Sequence, residues 1–166
     1  MISQLLKDVT MAEDIMGLLE LCTNIEEKTA ELYFCFSDLY REMPDLSRLL
    51  RKTAQEEENH MLQFQLATKL KKNCNFSATV SLTQAQQAFN MIAGLLEKVR
   101  ERPPTWRNAL KFAIELENRM SQFHTNTALV FEDDSFNSLY QAMMKHDQDH
   151  VLALSRYLEM PTDQEA

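Results

Sequence analysis

The sequence predicts an all-α protein: four long helices in a bundle, with a shorter crossover helix between the second and third. Three observations lead there. The 166 residues include only 2 Gly and 4 Pro, whereas a β-sandwich or an α/β fold of this length needs many more turn-formers. Apolar residues recur every three or four positions over long stretches, the spacing of a helix with one buried face. The prolines fall between these stretches and not within them. The length suits one domain with a sizeable core and is short for two, so residues 1–166 are read as a single domain.

The first helical pattern runs from about Met11 to Glu42 and stops before Pro44, with Ile15, Leu19, Cys22, Thr29, Tyr33 and Tyr40 on one stripe. The second starts near Asp45, read as an N-cap, and runs to about Lys72, where Lys69, Lys71 and Lys72 suit the negative end of the helix dipole. Asn73 to Thr79 is a loop. A helix from about Thr83 to Glu101 follows and ends before Pro103-Pro104. The fourth pattern runs from about Thr105 to Phe131. The fifth starts near Asp133-Asp134 and ends around Glu159, before Pro161, leaving a frayed tail. Short links join the first pair and the last pair of long helices, so each pair is expected to be an antiparallel hairpin. The stretch from Asn73 to Pro104 is long enough to cross from one end of a bundle to the other. That connectivity is the ferritin-like one.

Composition excludes several function classes. Apolar residues make up 45% and charged residues 25%, an ordinary soluble mixture. A net charge of -8 argues against nucleic acid, which needs a basic face. Asp8, Glu13 and Asp14 interrupt the N-terminal stretch, which does not read as a signal peptide. No run of 18 apolar residues is present, so no membrane span is expected. The three cysteines, Cys22, Cys35 and Cys74, form no C-x-x-C pair. Reduced thiols in a cytoplasm are the simplest reading.

Two of the four histidines follow a carboxylate by three residues: Glu57 with His60, and Asp147 with His150. Residues three apart share a helix face and can offer an oxygen and an imidazole nitrogen to one ion. Each such helix is preceded by a long helix with a Glu on its apolar stripe, Glu26 and Glu117. The two sets match in spacing. Glu26 to Glu117 is 91 positions, and Glu57 to Asp147 and His60 to His150 are 90 each. The pattern reads as a duplicated helix hairpin facing itself, with four carboxylates and two imidazoles converging.

Neighbouring acids are excluded by the stripe. Glu57 shares its face with Leu46, Leu50, Thr53 and Phe64, whereas Glu56 lies with Lys52 and Gln63, and Glu58 with Arg51 and Gln55. Glu26 follows Leu19 and Cys22, whereas Glu27 follows Glu20 and Thr23. Glu117 lies with Trp106, Leu110, Ala113 and Ile114, whereas Glu115 lies with Asn108, Lys111 and Arg119. Asp147 lies with Phe136, Tyr140, Met143 and Leu154. Four acids in an apolar bundle are costly unless paired, and two divalent ions would neutralise them. Mixed oxygen and imidazole donors suit iron or manganese, with zinc a common substitute.

In the segments Ile25-Glu26-Glu27-Lys28-Thr29-Ala30-Glu31-Leu32-Tyr33, Glu56-Glu57-Glu58-Asn59-His60, Ala113-Ile114-Glu115-Leu116-Glu117 and Asp147-Gln148-Asp149-His150, the chain resembles the rubrerythrin branch of the ferritin-like di-iron family. The resemblance spans the four long helices. It implies two iron ions, with Glu26 and Glu117 as terminal ligands, Glu57 and Asp147 as bridging carboxylates, and His60 and His150 as one imidazole per metal. It also implies that Tyr33 matches a tyrosine near the cluster and takes part in its chemistry. Three departures stand out. Met120 occupies the place of an additional Glu, which argues against the redox-linked iron movement that goes with efficient peroxidase action. Asp147 is one methylene shorter than the usual Glu. The rubredoxin electron-transfer module is lacking, so electrons must come from another protein or a small reductant.

Blander roles compete for individual residues. A lone stripe Glu is more often hydrogen-bonded than a ligand, and Tyr33 could be a packed aromatic. His124, seven residues after Glu117, reads as a core histidine, a partner of the ligands or an added ligand; His146 sits one turn before His150. Cys22 reads as a small buried hydrophobe and the ten methionines as core filler. The face of the Thr83 to Glu101 helix, with Ala85, Ala88, Phe89, Ile92 and Leu96, serves the bundle or a partner subunit, and a homodimer is expected. The functional reading is a di-iron oxidoreductase acting on dioxygen or hydrogen peroxide with an external electron-donor protein. The alternatives are an iron-handling protein with weak ferroxidase activity, and a non-catalytic metal-binding helical module.

Overall fold

A computed structural model describes residues 2–70, 82–128 and 134–160 of the chain. Among them are five helices and no strand: α1 (Ile2–Leu39), α2 (Pro44–Leu70), α3 (Leu82–Glu101), α4 (Trp106–Ala128) and α5 (Asp134–Glu159). The class is all-α, as the scarcity of turn-formers requires. The loop expected at Asn73–Thr79, the basic residues Lys71 and Lys72, Cys74, a fourth-helix end at Phe131, a fifth-helix start at Asp133 and the tail from Pro161 lie outside the described residues.

Helix ends differ from expectation for local reasons. α1 begins at Ile2, well before the expected Met11, and stops at Leu39, a few residues short of Glu42. A turn over residues 40–43 follows, closed by the Met43 amide on the Tyr40 carbonyl at 2.9 Å, because Pro44 disfavours helical geometry in the residue before it. Pro44 itself opens α2, where its missing N–H is one that no helix bond needs. Asp45 is therefore not the cap. It lies in the first turn, favourable for an anion at a helix N-terminus, and pairs with Arg48 at 3.4 Å. Thr105 caps α4, its Oγ1 accepting from the Asn108 amide at 3.4 Å.

The contacts give each helix a direction. α1 packs along α2 and α3, α4 along α5, and α2 touches α5. Ser37 and Ser47 donate to each other's carbonyl at 2.9 Å and close an antiparallel α1–α2 hairpin. The Trp106 and Tyr157 rings meet edge to face at 6.1 Å, pairing the start of α4 with the end of α5. At the start of α3, Leu82 lies where a Cβ on Gly17 would meet it at 3.3 Å; near its end, Arg100 reaches Glu31 at 3.4 Å. So α3 runs parallel to α1. The Tyr40 hydroxyl donates to the Pro104 carbonyl at 2.7 Å, tying the entry of α4 to the end where α1 finishes. Ala85, Ile92, Leu96 and Val99 of α3 are buried, so the apolar face that was expected to serve either the bundle or a partner subunit is used inside the chain.

Between these helices lies a core of large apolar side chains, with Leu19, Ile25, Phe36, Leu50, Phe64, Leu110, Met143 and Leu154 all buried. Each such side chain contributes about 1.5–3 kcal/mol on burial. The same interior holds Glu26, Glu57, His60, Glu117, His124, Asp147 and His150, none more than 5% exposed. Seven ionisable side chains in an apolar core would cost several kcal/mol each if left uncompensated. The compensation they find defines the site.

Candidate metal centre

Glu26 comes from α1, Glu57 and His60 from α2, Glu117 and His124 from α4, and Asp147 and His150 from α5. Each is at the position where its stripe faces the core. The acids set aside by the stripe argument behave as expected in two places: Glu27 and Glu58 are exposed, and Glu115 pairs on the surface with Arg119 at 2.5 Å. All six residues expected to bind metal are brought together. Glu57, Glu117, Asp147 and His150 form one group whose donor atoms lie within 4.8 Å of one another, and Glu26, Glu57 and His60 form a second. Glu57 belongs to both. Asp147 belongs to the first and reaches toward the second, its Oδ1 4.0 Å from His60 Nδ1.

The orientation of the donors is as telling as their proximity. Both imidazoles turn Nδ1 inward. His60 Nδ1 is 3.2 Å from Glu57 Oε2, and His150 Nδ1 is 3.2 Å from Glu57 Oε1 and 3.3 Å from Glu117 Oε2. Glu26 Oε2, Glu57 Oε1 and Asp147 Oδ1 are buried without a well-aligned hydrogen bond; the nearest inward Nδ1 is 3.7 Å from the first, 3.2 Å from the second and 4.0 Å from the third. A buried carboxylate oxygen without a well-aligned donor is an expensive arrangement. Three of them facing two inward imidazole nitrogens make a donor set that could hold metal ions, with the oxygen and nitrogen chemistry such ions take.

The remaining oxygens are held. The Tyr33 hydroxyl donates to Glu117 Oε1. His124 lies between two helices' acids, with Nδ1 2.6 Å from Asp147 Oδ2 and Nε2 2.9 Å from Glu26 Oε1. An ionised carboxylate only accepts, so both His124 nitrogens donate, which requires the imidazolium form. Both of its nitrogens are thereby occupied, and His124 stands as a partner of two carboxylates of the cluster.

Two further groups meet the outer nitrogens of His60 and His150. His150 Nε2 is 2.5 Å from Glu56 Oε2, and His60 Nε2 is 3.4 Å from His146 Nδ1, their rings stacked at 5.6 Å. Glu56 was assigned to a polar face, and it does meet Lys52 at 3.7 Å. It is nevertheless half-buried, and its other oxygen supports a histidine of the neighbouring helix. The stripe argument is blind to this because it looks at one helix, whereas Glu56 acts across the α2–α5 seam. A signal was available: His146 is 90 positions after Glu56, the same offset as Glu57 to Asp147 and His60 to His150.

Electrostatics of the metal-free cluster place protons mainly on nitrogen. Burial pushes the His60 imidazole down, but hydrogen bonds and charge from Glu26 and Glu57 raise it to about 10. Burial likewise opposes charge on His150, and Glu117 and Glu57 lift it to about 11. His124 is raised by Asp147 and Glu26 against the same burial. Burial pushes the Glu26 carboxyl up, but His124 and His60 outweigh that and hold it at about 2. Glu117 is raised to about 7, by burial and by the charge of Glu57. Burial and Glu117 raise the Tyr33 phenol, so it remains a donor. Burial and then Glu26 raise the Cys22 thiol, in keeping with a buried, unreactive side chain. Three imidazolium groups thus occupy the electrostatic role that dications would fill.

No family model, curated protein or solved structure matches the chain. Among the described residues, no helix is long and apolar enough to cross a membrane.

Proposed function

We propose that the chain is a ferritin-like, rubrerythrin-like di-iron oxidoreductase acting on dioxygen or hydrogen peroxide. The observation that carries this reading is the set of three buried carboxylate oxygens without well-aligned hydrogen bonds, facing the inward nitrogens of His60 and His150. In the same reading the helices form a four-helix bundle, with α3 as the crossover; the parallel run of α3 beside α1 supports it. Glu26, Glu57 and His60 would hold one ion, and Glu57, Glu117, Asp147 and His150 the other. Iron is favoured over manganese or zinc through the resemblance carried by the four segments quoted above. Two ferrous ions held there would supply two electrons together to an oxidant.

The protein's own residues set the conditions. Tyr33 and His124 each engage carboxylate oxygens on the side away from the donors, which fixes how Glu117, Glu26 and Asp147 present their other oxygens. Phe64, Leu110 and Tyr140 are buried in the core of the same helices. The outer nitrogen of His60, Nε2, faces His146 at 3.4 Å, which leaves its inward Nδ1 as the nitrogen that would meet an ion. An external electron-donor protein, a homodimer and a cytoplasmic setting belong to this proposal. Anaerobic reconstitution with ferrous iron, metal analysis and an absorption spectrum after oxidation test it. Two irons per chain and a near-ultraviolet oxo-bridged band are expected; a protein that takes up no iron would refute it.

Met120 favours a second reading, iron handling with weak ferroxidase activity. It is buried one turn after Glu117, in the place where the rubrerythrin pattern has a further carboxylate. Iron uptake and oxidation without sustained peroxide consumption in the presence of reductant would select this reading.

A further inference from the structure

The two halves of the centre are related by offsets of 90 and 91 residues, and the pairing extends beyond the donors. Tyr33 corresponds to His124, and Glu56 corresponds to His146. The donors keep their chemical type across this relation, whereas these supporting residues do not. Glu56 stands behind His150 with a carboxylate at 2.5 Å, and His146 stands behind His60 with an imidazole at 3.4 Å. We propose that this exchange makes the two metal positions unequal, and that the position at His150 binds first and more tightly. The proposal rests on the two-metal reading of the site and goes beyond it by ordering the positions.

A carboxylate that accepts the outer N–H of a ligating imidazole makes that imidazole a stronger electron-pair donor, and fixes which nitrogen is free to bind. The bond is charge-assisted and short. A second imidazole gives neither effect to the same degree, since it offers no carboxylate oxygen and lies at longer range. The donor sets point the same way. The His150 position has three carboxylates, Glu57, Glu117 and Asp147, whereas the His60 position has Glu26 and Glu57. A hard dication favours the more anionic set. The supports differ too. Glu117 Oε1 is held by a phenol, which adds no positive charge there, whereas Glu26 Oε1 is held by His124, which also holds Asp147 Oδ2.

Glu56 and His146 do not touch the donors' inner faces. They form part of the wall of a surface cleft of about 340 Å³ on the α2–α5 seam, together with Asn59, Leu62, Gln63 and Leu66. Both are therefore positioning residues, open to substitution without emptying the core.

The test titrates full-length metal-free protein with Co2+ under anaerobic conditions, following visible absorption and heat. Two steps are expected, the first at least about tenfold tighter, the size of effect that such outer partners have on metal affinity. His150→Ala should abolish the tight step and His60→Ala the weak one. Glu56→Gln should weaken the first step about tenfold and leave the second within a factor of about three, and Glu56→Asp should restore part of the loss. His146→Glu should tighten the second step and bring the two together. Thermal melting of the metal-free variants reads folding separately, and Glu56→Gln should not move it in proportion to the affinity. Two equal steps in the unaltered protein, a tight step surviving His150→Ala, or Glu56→Gln weakening both steps equally would overturn the inference while leaving a two-metal centre. Absence of any Co2+ uptake by the unaltered protein would overturn both.

Discussion

Glu57 is the one side chain that belongs to both donor groups, and its loss should be felt at two ions. Glu57→Ala is expected to lower occupancy at both positions, while Glu26→Ala mainly weakens one; metal analysis after equilibrium dialysis distinguishes them. If Glu26→Ala emptied both positions and Glu57→Ala neither, the assignment of the donors would be wrong. Tyr33→Phe removes the hydroxyl that holds Glu117 Oε1 and leaves the ring in place. Affinity at the His150 position should fall about tenfold or more, in line with loss of an outer partner, with little change in the thermal midpoint of the loaded protein. Glu56 shows where residue-scale reasoning stops. A helical wheel separates Glu57 from Glu56 correctly by burial, yet it gives no view of the histidine on α5 that Glu56 reaches.

At the scale of the helix, the ends obey local chemistry and the faces obey the core. Thr105 caps α4 through Asn108, and Thr105→Ala should destabilise the protein by about 1 kcal/mol, read by denaturant unfolding of the metal-free form. Leu50 is fully buried on the face of α2 that carries Glu57. Leu50→Ala should cost about 2–5 kcal/mol by the same measurement, and a cost near zero would mean that this face of α2 is not packed. The contrast between the two substitutions separates what a helix owes to its cap from what it owes to its neighbours. Most helical stability in proteins comes from the latter.

Over the whole molecule, the cluster couples protonation, metal binding and stability. His60 and His150 sit near 10 and 11 in the metal-free fold, against an ordinary value of about 6.5 in the unfolded chain. A raised histidine contributes stability that is complete below about 6.5 and is lost as pH climbs toward the folded value. Glu117, raised to about 7, adds a loss of the same sign from its unfolded value upward to that pH. The metal-free protein should therefore become less stable from mildly acidic to alkaline pH. Metal replaces the inner protons of His60 and His150, so its stabilising effect should grow with pH over that range. Thermal melts with and without metal across pH 5–9 check this, and a stabilisation that shrinks as pH rises would contradict it. Titration in weak buffer near neutrality should release about two protons as both positions fill. Glu26, held at about 2, contributes in the opposite sense: its stabilisation is present above the unfolded carboxylate value and is lost only as pH falls toward 2.

The sequence by itself determined the helical class, the approximate spans of the described helices apart from the start of α1, and the six residues that meet at the centre. Those features depend on local periodicity and on an internal repeat, both written in the order of residues. Glu26, Glu57, Glu117 and Asp147 stand out because an acid on an apolar stripe is an energetic contradiction within its own helix. Only the tertiary structure decided what lies behind the donors. That His124 clasps acids from α1 and α5, that Tyr33 reaches Glu117 on α4, and that Glu56 and His146 stand behind each other's neighbouring histidines depend on how four helices are set against one another. It also decided where the metal-free protons sit, mainly on imidazole nitrogen, because a shift in acidity is set by the distance to charges on other helices and not by the spacing of residues along one.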